Sequence, residues 1–189
     1  MVTGIVIAAA GQGKRFIQAG GKGNKLNAPL GEVTVFEQTL QHALASCLPV
    51  HVVTRPENSL LQNVCTEYHV NFTLLESHGL GDSIAAGVTA TKEWDGWLIH
   101  LADMPFVTPQ IFIQTAAALR QHAIVRPCFN QQPGHPVGFS AALHKPLCAL
   151  QGDDGGYSIL NGRRVYLLPI YLAEMVQDID LPSQLPASE

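Results

Sequence analysis

The sequence predicts a single-domain α/β fold spanning residues 1–189, with a mostly parallel sheet and helices on both faces. Three observations predict it. A chain of 189 residues suits one domain long enough to bury a real core. With 47% hydrophobic and 14% charged residues, extended disorder is excluded. As far as residue 123, strand-like and helix-like segments alternate, the rhythm of consecutive βαβ units.

Each element has its own signal. Thr3–Ala9 is a nearly continuous apolar run that breaks into glycine, as a strand buried on both faces does. Val35–Ala45 places Val35, Phe36, Leu40, Ala43 and Leu44 at helical spacing, and Pro49 follows as a stop. Val50–Thr54 and Asn71–Leu75 read as strands around a helix at Ser59–Tyr68. Gly79–Gly81 opens a helix over Asp82–Lys92, and Trp97–Ala102 is a fourth strand ended by Asp103-Met104-Pro105. Thr108-Pro109 reads as the N-cap and first-turn proline of a helix reaching about His122. Beyond it, Ile124–Phe129 and Pro136–Ser140 flank the turn Gln131–Gly134, which predicts a hairpin at the sheet edge. A helix near Ala141–Leu150, a loop at Gly152–Gly156 and a strand at Val165–Ile170 complete the pattern, and the residues after Pro182 are expected to fray.

Several function classes are excluded. A formal charge of −4 argues against a general nucleic-acid binder. No apolar run reaches membrane-spanning length, and the N-terminus lacks the features of a secretory signal, so a cytoplasmic location is expected. Cys47, Cys65, Cys128 and Cys148 are widely spaced without a C-x-x-C pair, as expected for reduced thiols. No G-x-S-x-G elbow or hydrolase triad is present.

The first chemical signal is the loop Ala9-Ala-Gly-Gln-Gly-Lys-Arg15, directly after the first strand. Small residues let backbone N–H groups approach an anion. Residues 1–31 contain no acid yet hold Lys14, Arg15, Lys22 and Lys25, an uncompensated positive cluster that suits a triphosphate. A Walker A loop is absent. A Rossmann fingerprint fails because Phe16 replaces its third glycine and Thr54-Arg55 replaces the acid after the second strand. The second signal is Asp103, just past the carboxyl end of a buried strand, where open α/β sheets bind ligands and a carboxylate can ligate Mg²⁺ or cap a turn. His100 lies inside that strand and reads as a buried, hydrogen-bonded histidine. Asp153 and Asp154 suit capping of a short helix at Tyr157–Leu160, and Arg163-Arg164 suits a solvated turn.

These residues resemble the MobA-like nucleotidyltransferases. Ala9–Arg15 looks like their A-A-G-x-G-x-R signature and Lys25-Leu26 like the following K-L. Gly79-Leu-Gly-Asp-Ser-Ile-Ala-Ala-Gly87 resembles the G-[ML]-x-x-S-[LI]-x-x-G element, and Asp103-Met-Pro105 the D-M-P motif. Gly134-His-Pro-Val-Gly-Phe139 is similar to G-H-P-V-x-F, Gly152–Gly156 to G-D-x-G-[AG], and Asp178-Ile-Asp180 with Pro182 to D-I-D-x-P. The fourth and fifth pieces resemble the molybdenum cofactor cytidylyltransferase, or MocA-like, branch. The insert Ile17–Gly23 separates Arg15 from Lys25 and makes Lys22 a competing candidate for the family's lysine.

The resemblance implies a Rossmann-like sheet of the nucleotide-diphospho-sugar transferase type. It implies that Ala9, Ala10, Gly11 and Gly13, with Arg15 and Lys25, hold the triphosphate, and that Gly79, Gly81 and Ser83 lie against base and ribose. Asp103 and Asp180 would hold Mg²⁺, His135 would stand on the acceptor side, and Arg15, Lys25 and Asp103 would act in catalysis. The expected reaction transfers CMP from CTP to the phosphate of molybdopterin and releases pyrophosphate, the Ala-Ala-Gly loop favouring CTP over GTP. The acceptor would be a phosphorylated pterin and the downstream partner a molybdoenzyme. Two other readings stay open: cytidylyl or guanylyl transfer to another phosphorylated acceptor, and a non-catalytic carrier of the cofactor.

Overall fold

A computed structural model describes residues 1–171, 173 and 177–186 of the chain. The first half runs β1 (Thr3–Ala9), α1 (Lys14–Gln18), the ribbon β2 (Pro29–Leu30) and β3 (Val33–Thr34), α2 (Val35–Ala45), β4 (Val50–Thr54), α3 (Ser59–Glu67), β5 (Asn71–Leu74) and α4 (Leu80–Ala90). The second half runs β6 (Gly96–Leu101), α5 (Pro109–Ala118), β7 (Ile124–Phe129), β8 (Gln132–Pro133), β9 (Val137–Ser140), α6 (His144–Cys148), α7 (Tyr157–Leu160) and β10 (Tyr166–Pro169). The α/β class and the mostly parallel sheet follow the pattern of the sequence.

The main sheet has the order β10-β7-β9-β6-β1-β4-β5, with β8 paired to β7. β1 pairs in parallel with both β4 and β6, so its apolar run is buried on both faces. Alternation sorts that run: Ile5, Ile7 and Ala9 pack beneath α2, α3 and α5, whereas Val6 and Ala10 pack with α4, α6 and α7. Local capping sets the helix starts, with Thr34 accepting from Glu37 N at 3.1 Å and Asn58 accepting from Leu61 N at 3.2 Å. Gly87 matters for placement: a Cβ there would collide with the side chain of Val6, so its absence lets α4 lie close against β1.

Several expectations are corrected. The expected antiparallel pairing of β7 with β9 forms, but not at the sheet edge, since β9 lies between β7 and β6, antiparallel to both, and β10 forms the edge beside β7. Phe139 is 2% exposed on the core face of this doubly paired strand. α4 begins at Leu80 rather than Asp82, and α5 ends at Ala118 rather than His122. Thr108 occupies the cap position of α5, but its hydroxyl makes no cap bond. The residues after Pro182 are held in a turn at Pro182–Gln184, where Gln184 Oε1 accepts from Asp180 N at 2.8 Å and Leu181 N at 2.7 Å. The rest of the expected frayed end, residues 187–189, lies outside the described residues. None of the four cysteines is paired, and no helix among the described residues is long and apolar enough to cross a membrane.

Candidate active site

A cleft of about 400 Å³ opens at the carboxyl edge of the sheet, over the ends of β1 and β6. One end is lined by Gln12, Gly13, Lys14, Arg15, Lys25, Asp103 and Asp180, the other by Ser77, His78, Gly79, Leu80, Ser83 and Asp153. Open α/β sheets bind their ligands on this edge, where the strand ends leave a crevice.

The charged end is assembled from three distant segments. Asp103 follows β6, fixed by the bond from Ala102 N to Ala8 O at 3.1 Å and by the Thr39 hydroxyl, which donates to Ala102 O at 2.7 Å. Met104, 3% exposed, anchors its other side. Lys25 opens a one-turn 3-10 helix capped by Asn24, with Leu26 buried in the core and Asn27 donating to Asn58 Oδ1 at 2.9 Å. Its Nζ donates to Asp103 Oδ2 at 2.7 Å and to Asp180 Oδ1 at 3.1 Å, while Arg15 Nη1 donates to Asp180 Oδ2 at 2.9 Å. Gly13 has φ 59°, a left-handed backbone that glycine adopts freely, and its α-carbon passes beside the Lys25 stem. The structure brings Lys25 into the cluster; Lys22 is exposed and does not line the cleft.

Asp180 arrives through its neighbour. Ile179 is 1% exposed in the core and its N–H donates to Asp103 O at 2.8 Å. In an extended segment the residues on either side of Ile179 face the opposite way, toward the cluster. Asp103, Asp178 and Asp180 therefore each offer an oxygen within 4.8 Å of the others. Sequence reading placed Asp178 within a motif but not in the site; the signal available was the single buried apolar residue between two acids. Asp103 Oδ1 is buried and has no hydrogen-bond partner among the described residues. Such an atom, in an all-oxygen donor set, fits a hard divalent cation. Burial pushes the Asp103 carboxyl above its ordinary range, Asp178 and Asp180 add to this by repulsion, and Lys25 offsets part of it. Burial works against the Lys25 charge, but Asp103 and Asp180 outweigh it and hold its pKa above the usual lysine value. Asp180 is only partly buried, and Lys25 and Arg15 hold its carboxyl below the ordinary range despite that burial.

The other end is built from backbone. Gly81 N donates to Gly152 O and Gly152 N to Asp82 Oδ1, both at 2.8 Å, while Asp82 Oδ2 accepts from His78 N at 3.0 Å. A Cβ on Gly81 would lie 2.7 Å from the carbonyls of Gln151 and Asp154, so Gly81 admits the loop 151–154. Gly81 does not line the cleft, and neither does Ala9, whose methyl is in the core. Ala10, Gly11, Gly13, Gly79 and Ser83 do line it. The Ser83 hydroxyl is committed to Ser77 Oγ at 2.9 Å. Asp154 accepts from Gly156 N at 3.0 Å and Ser158 N at 3.3 Å, as capping predicts, whereas Asp153 turns to the cleft beside Gly79.

His135 is half-buried and does not line the cleft. It precedes β9, whose antiparallel run beside β6 puts that loop at the same sheet edge as Asp103. Burial lowers its pKa, with His100 and Arg126 adding to the effect. His100 is fully buried, as expected from sequence: Nε2 bonds Met104 O at 3.2 Å, the ring meets Phe112 edge-on, and burial lowers its pKa to about 3. Sequence reasoning also missed Ser77, which lines the cleft, and Arg55, which bonds Ser77 O and Ala10 O from behind it.

Sheet order and a charged cleft on the carboxyl edge define an α/β protein of the nucleotide-diphospho-sugar transferase type. The chain belongs to the MobA-like NTP transferase family, matching that domain over residues 5–167, and is a nucleotidyltransferase of that family. No curated protein matches it in sequence. Among solved structures it is similar to Rv0371c from Mycobacterium tuberculosis H37Rv, with TM-score 0.84, 21% identity, and 96% of this chain and 93% of that one covered. A second structure of that protein is a complex with manganese. It is also similar to a nucleotidyl transferase from Methanothermobacter thermautotroptrophicus, with TM-score 0.81, 21% identity, and 96% and 93% coverage. A third neighbour is the 4-diphosphocytidyl-2C-methyl-D-erythritol synthase of Anaerococcus prevotii, with TM-score 0.73, 16% identity, and 96% and 94% coverage.

Proposed function

We propose that the protein transfers CMP from CTP to the phosphate of molybdopterin, in the manner of the MocA-like branch. The observation that carries the reading is the Lys25–Asp103–Asp180 cluster at one end of a cleft whose other end is uncharged except for Asp153. A triphosphate belongs at the charged end, which leaves Ser77–Leu80 and Ser83 for base and ribose. Asp103 and Asp180, with Asp178, would hold Mg²⁺, which neutralises phosphate charge when bound. The manganese complex of the mycobacterial neighbour supports a divalent cation in this fold.

In the reaction, an oxygen of the acceptor phosphate attacks the α-phosphorus of CTP. The new P–O bond forms as the bond to the β-phosphate oxygen breaks, and pyrophosphate leaves with its electrons. Lys25 and Arg15 release their hold on the carboxylates to meet the phosphates, neutralising charge as it gathers on the leaving group. Backbone groups of Ala10–Gly13 align the triphosphate, and the cleft walls hold the two reactants in line. The loop at His135, on the acceptor side of the same edge, would meet the pterin phosphate, and the product would pass to a molybdoenzyme.

A second reading, cytidylyl transfer to methylerythritol phosphate, is favoured by the third neighbour above. Pyrophosphate release decides between them. With CTP and Mg²⁺, release on adding molybdopterin but not methylerythritol phosphate supports the first; the reverse supports the second. Tight pterin binding without any release would establish a carrier.

A further inference from the structure

Dinucleotide-binding sheets end their second strand with an acid that takes the ribose. Here β4 ends at Thr54 and the next residue is Arg55. The Arg55 side chain is 14% exposed and runs behind the cleft without lining it. Its Nη1 donates to Ser77 O at 2.9 Å and reaches Ala10 O at 3.4 Å, while Nε pairs with Glu57. Ala10 is the point where β1 enters the glycine-rich loop. Ser77 roots the opposite wall: its hydroxyl donates to Gly79 O and receives bonds from Gly79 N and Ser83 Oγ. One guanidinium thus spans the two walls that face opposite ends of a bound nucleotide.

We propose that Arg55 is a positioning residue that fixes the distance between the triphosphate grip and the base floor. Its planar fork can hold two carbonyls and a carboxylate at once, which a lysine ammonium cannot do with the same rigidity. Without it, the Ala10 and Ser77 carbonyls lose a charged donor and the walls are free to separate. The inference rests on reading the cleft as a nucleoside triphosphate site. It makes the chain selective for a ligand that bridges both walls, and indifferent at Arg55 to one that fills only the charged end.

The test compares binding of CTP and of inorganic tripolyphosphate, each with Mg²⁺, by calorimetry. For Arg55→Met, CTP affinity is expected to fall about tenfold and tripolyphosphate affinity by less than about twofold. Arg55→Lys should lose about threefold for CTP alone, since it keeps the charge but not the fork. Equal losses for both ligands would make Arg55 a source of charge only and overturn the inference, as would unchanged CTP affinity. If Arg55→Met does not fold, the same comparison on Arg55→Lys decides. Failure of the wild-type chain to bind either ligand would overturn the nucleotide reading itself, and this inference with it.

Discussion

The two ends of the cleft are made by opposite strategies. At the charged end, side chains from segments far apart in sequence meet: Lys25 with Asp103 and Asp180, and Arg15 with Asp180. At the other end, Gly79 and Gly81 admit the loop at 151–154, and main-chain N–H groups carry the bonding, Gly81 N to Gly152 O and both Gly152 N and His78 N to the Asp82 carboxylate. The difference teaches where chemistry and stability are stored. A charged side chain can be replaced without moving the chain, whereas a glycine that admits a neighbouring loop cannot.

Substitutions break this contrast in a defined order. Asp103→Ala should reduce pyrophosphate release about a thousandfold while the melting temperature stays near wild type, because Asp103 holds the site and supports no core packing. Retained turnover in that variant would remove Asp103 from the metal site. Lys25→Met should cost about a hundredfold in turnover, against less than about twofold for Lys22→Met, as expected if only the first meets developing charge. Comparable losses at both lysines would erase the distinction. Gly81→Ala should act in the other currency, lowering unfolding free energy by about 1–3 kcal/mol in chemical denaturation because its methyl meets the carbonyls of Gln151 and Asp154. A variant with native stability but lost activity would instead make Gly81 a ligand contact.

An effect that appears only on acidification concerns neither end but the strand between them. The folded-state pKa of His100 is lowered to about 3, so the fold holds it neutral. Above pH about 6.5 both folded and unfolded chains leave it neutral, and no stability depends on it. As pH falls from there toward 3, the unfolded chain takes up a proton that the folded chain refuses, so stability drops by about 1.4 kcal/mol per pH unit. His100→Gln should flatten the fall in melting temperature between neutral pH and pH 5; an unchanged slope would place the acid sensitivity elsewhere, with His135 the next group to examine.

Much of the fold was legible because buried parallel strands announce themselves. β1, β4 and β6 are short apolar runs, and β4, β5 and β6 are each followed by a segment of helical period. The place of β9 was not legible. Its alternation is the same whether it pairs only with its sequence neighbour β7 or also with β6, and only tertiary packing of Phe139 and Val137 decides. At the site, the anion loop and Asp103 stood out by composition and position. The lysine could not be chosen by spacing, because a glycine-rich insert has no fixed length in space; Leu26, buried beside Lys25, makes the choice. Gly79 and Gly81 carried a signal of close approach that sequence cannot assign, since a loop and a ligand ask the same of a glycine.

One bond has a consequence for the order of assembly. Ile179 N–H on Asp103 O joins the last described segment to the end of β6, closing a loop that already contains β7, β9 and β10. All strands of the sheet among the described residues precede residue 170, so the strand order is complete in sequence before Asp178 and Asp180 are added. Up to that point Asp103 and Lys25 are present without the other two carboxylates, and the cluster lacks most of its oxygen ligands. The scaffold is therefore complete in sequence before the carboxylate cluster is, and a truncation ahead of Asp178 would remove two of the three carboxylates together with one core side chain, Ile179.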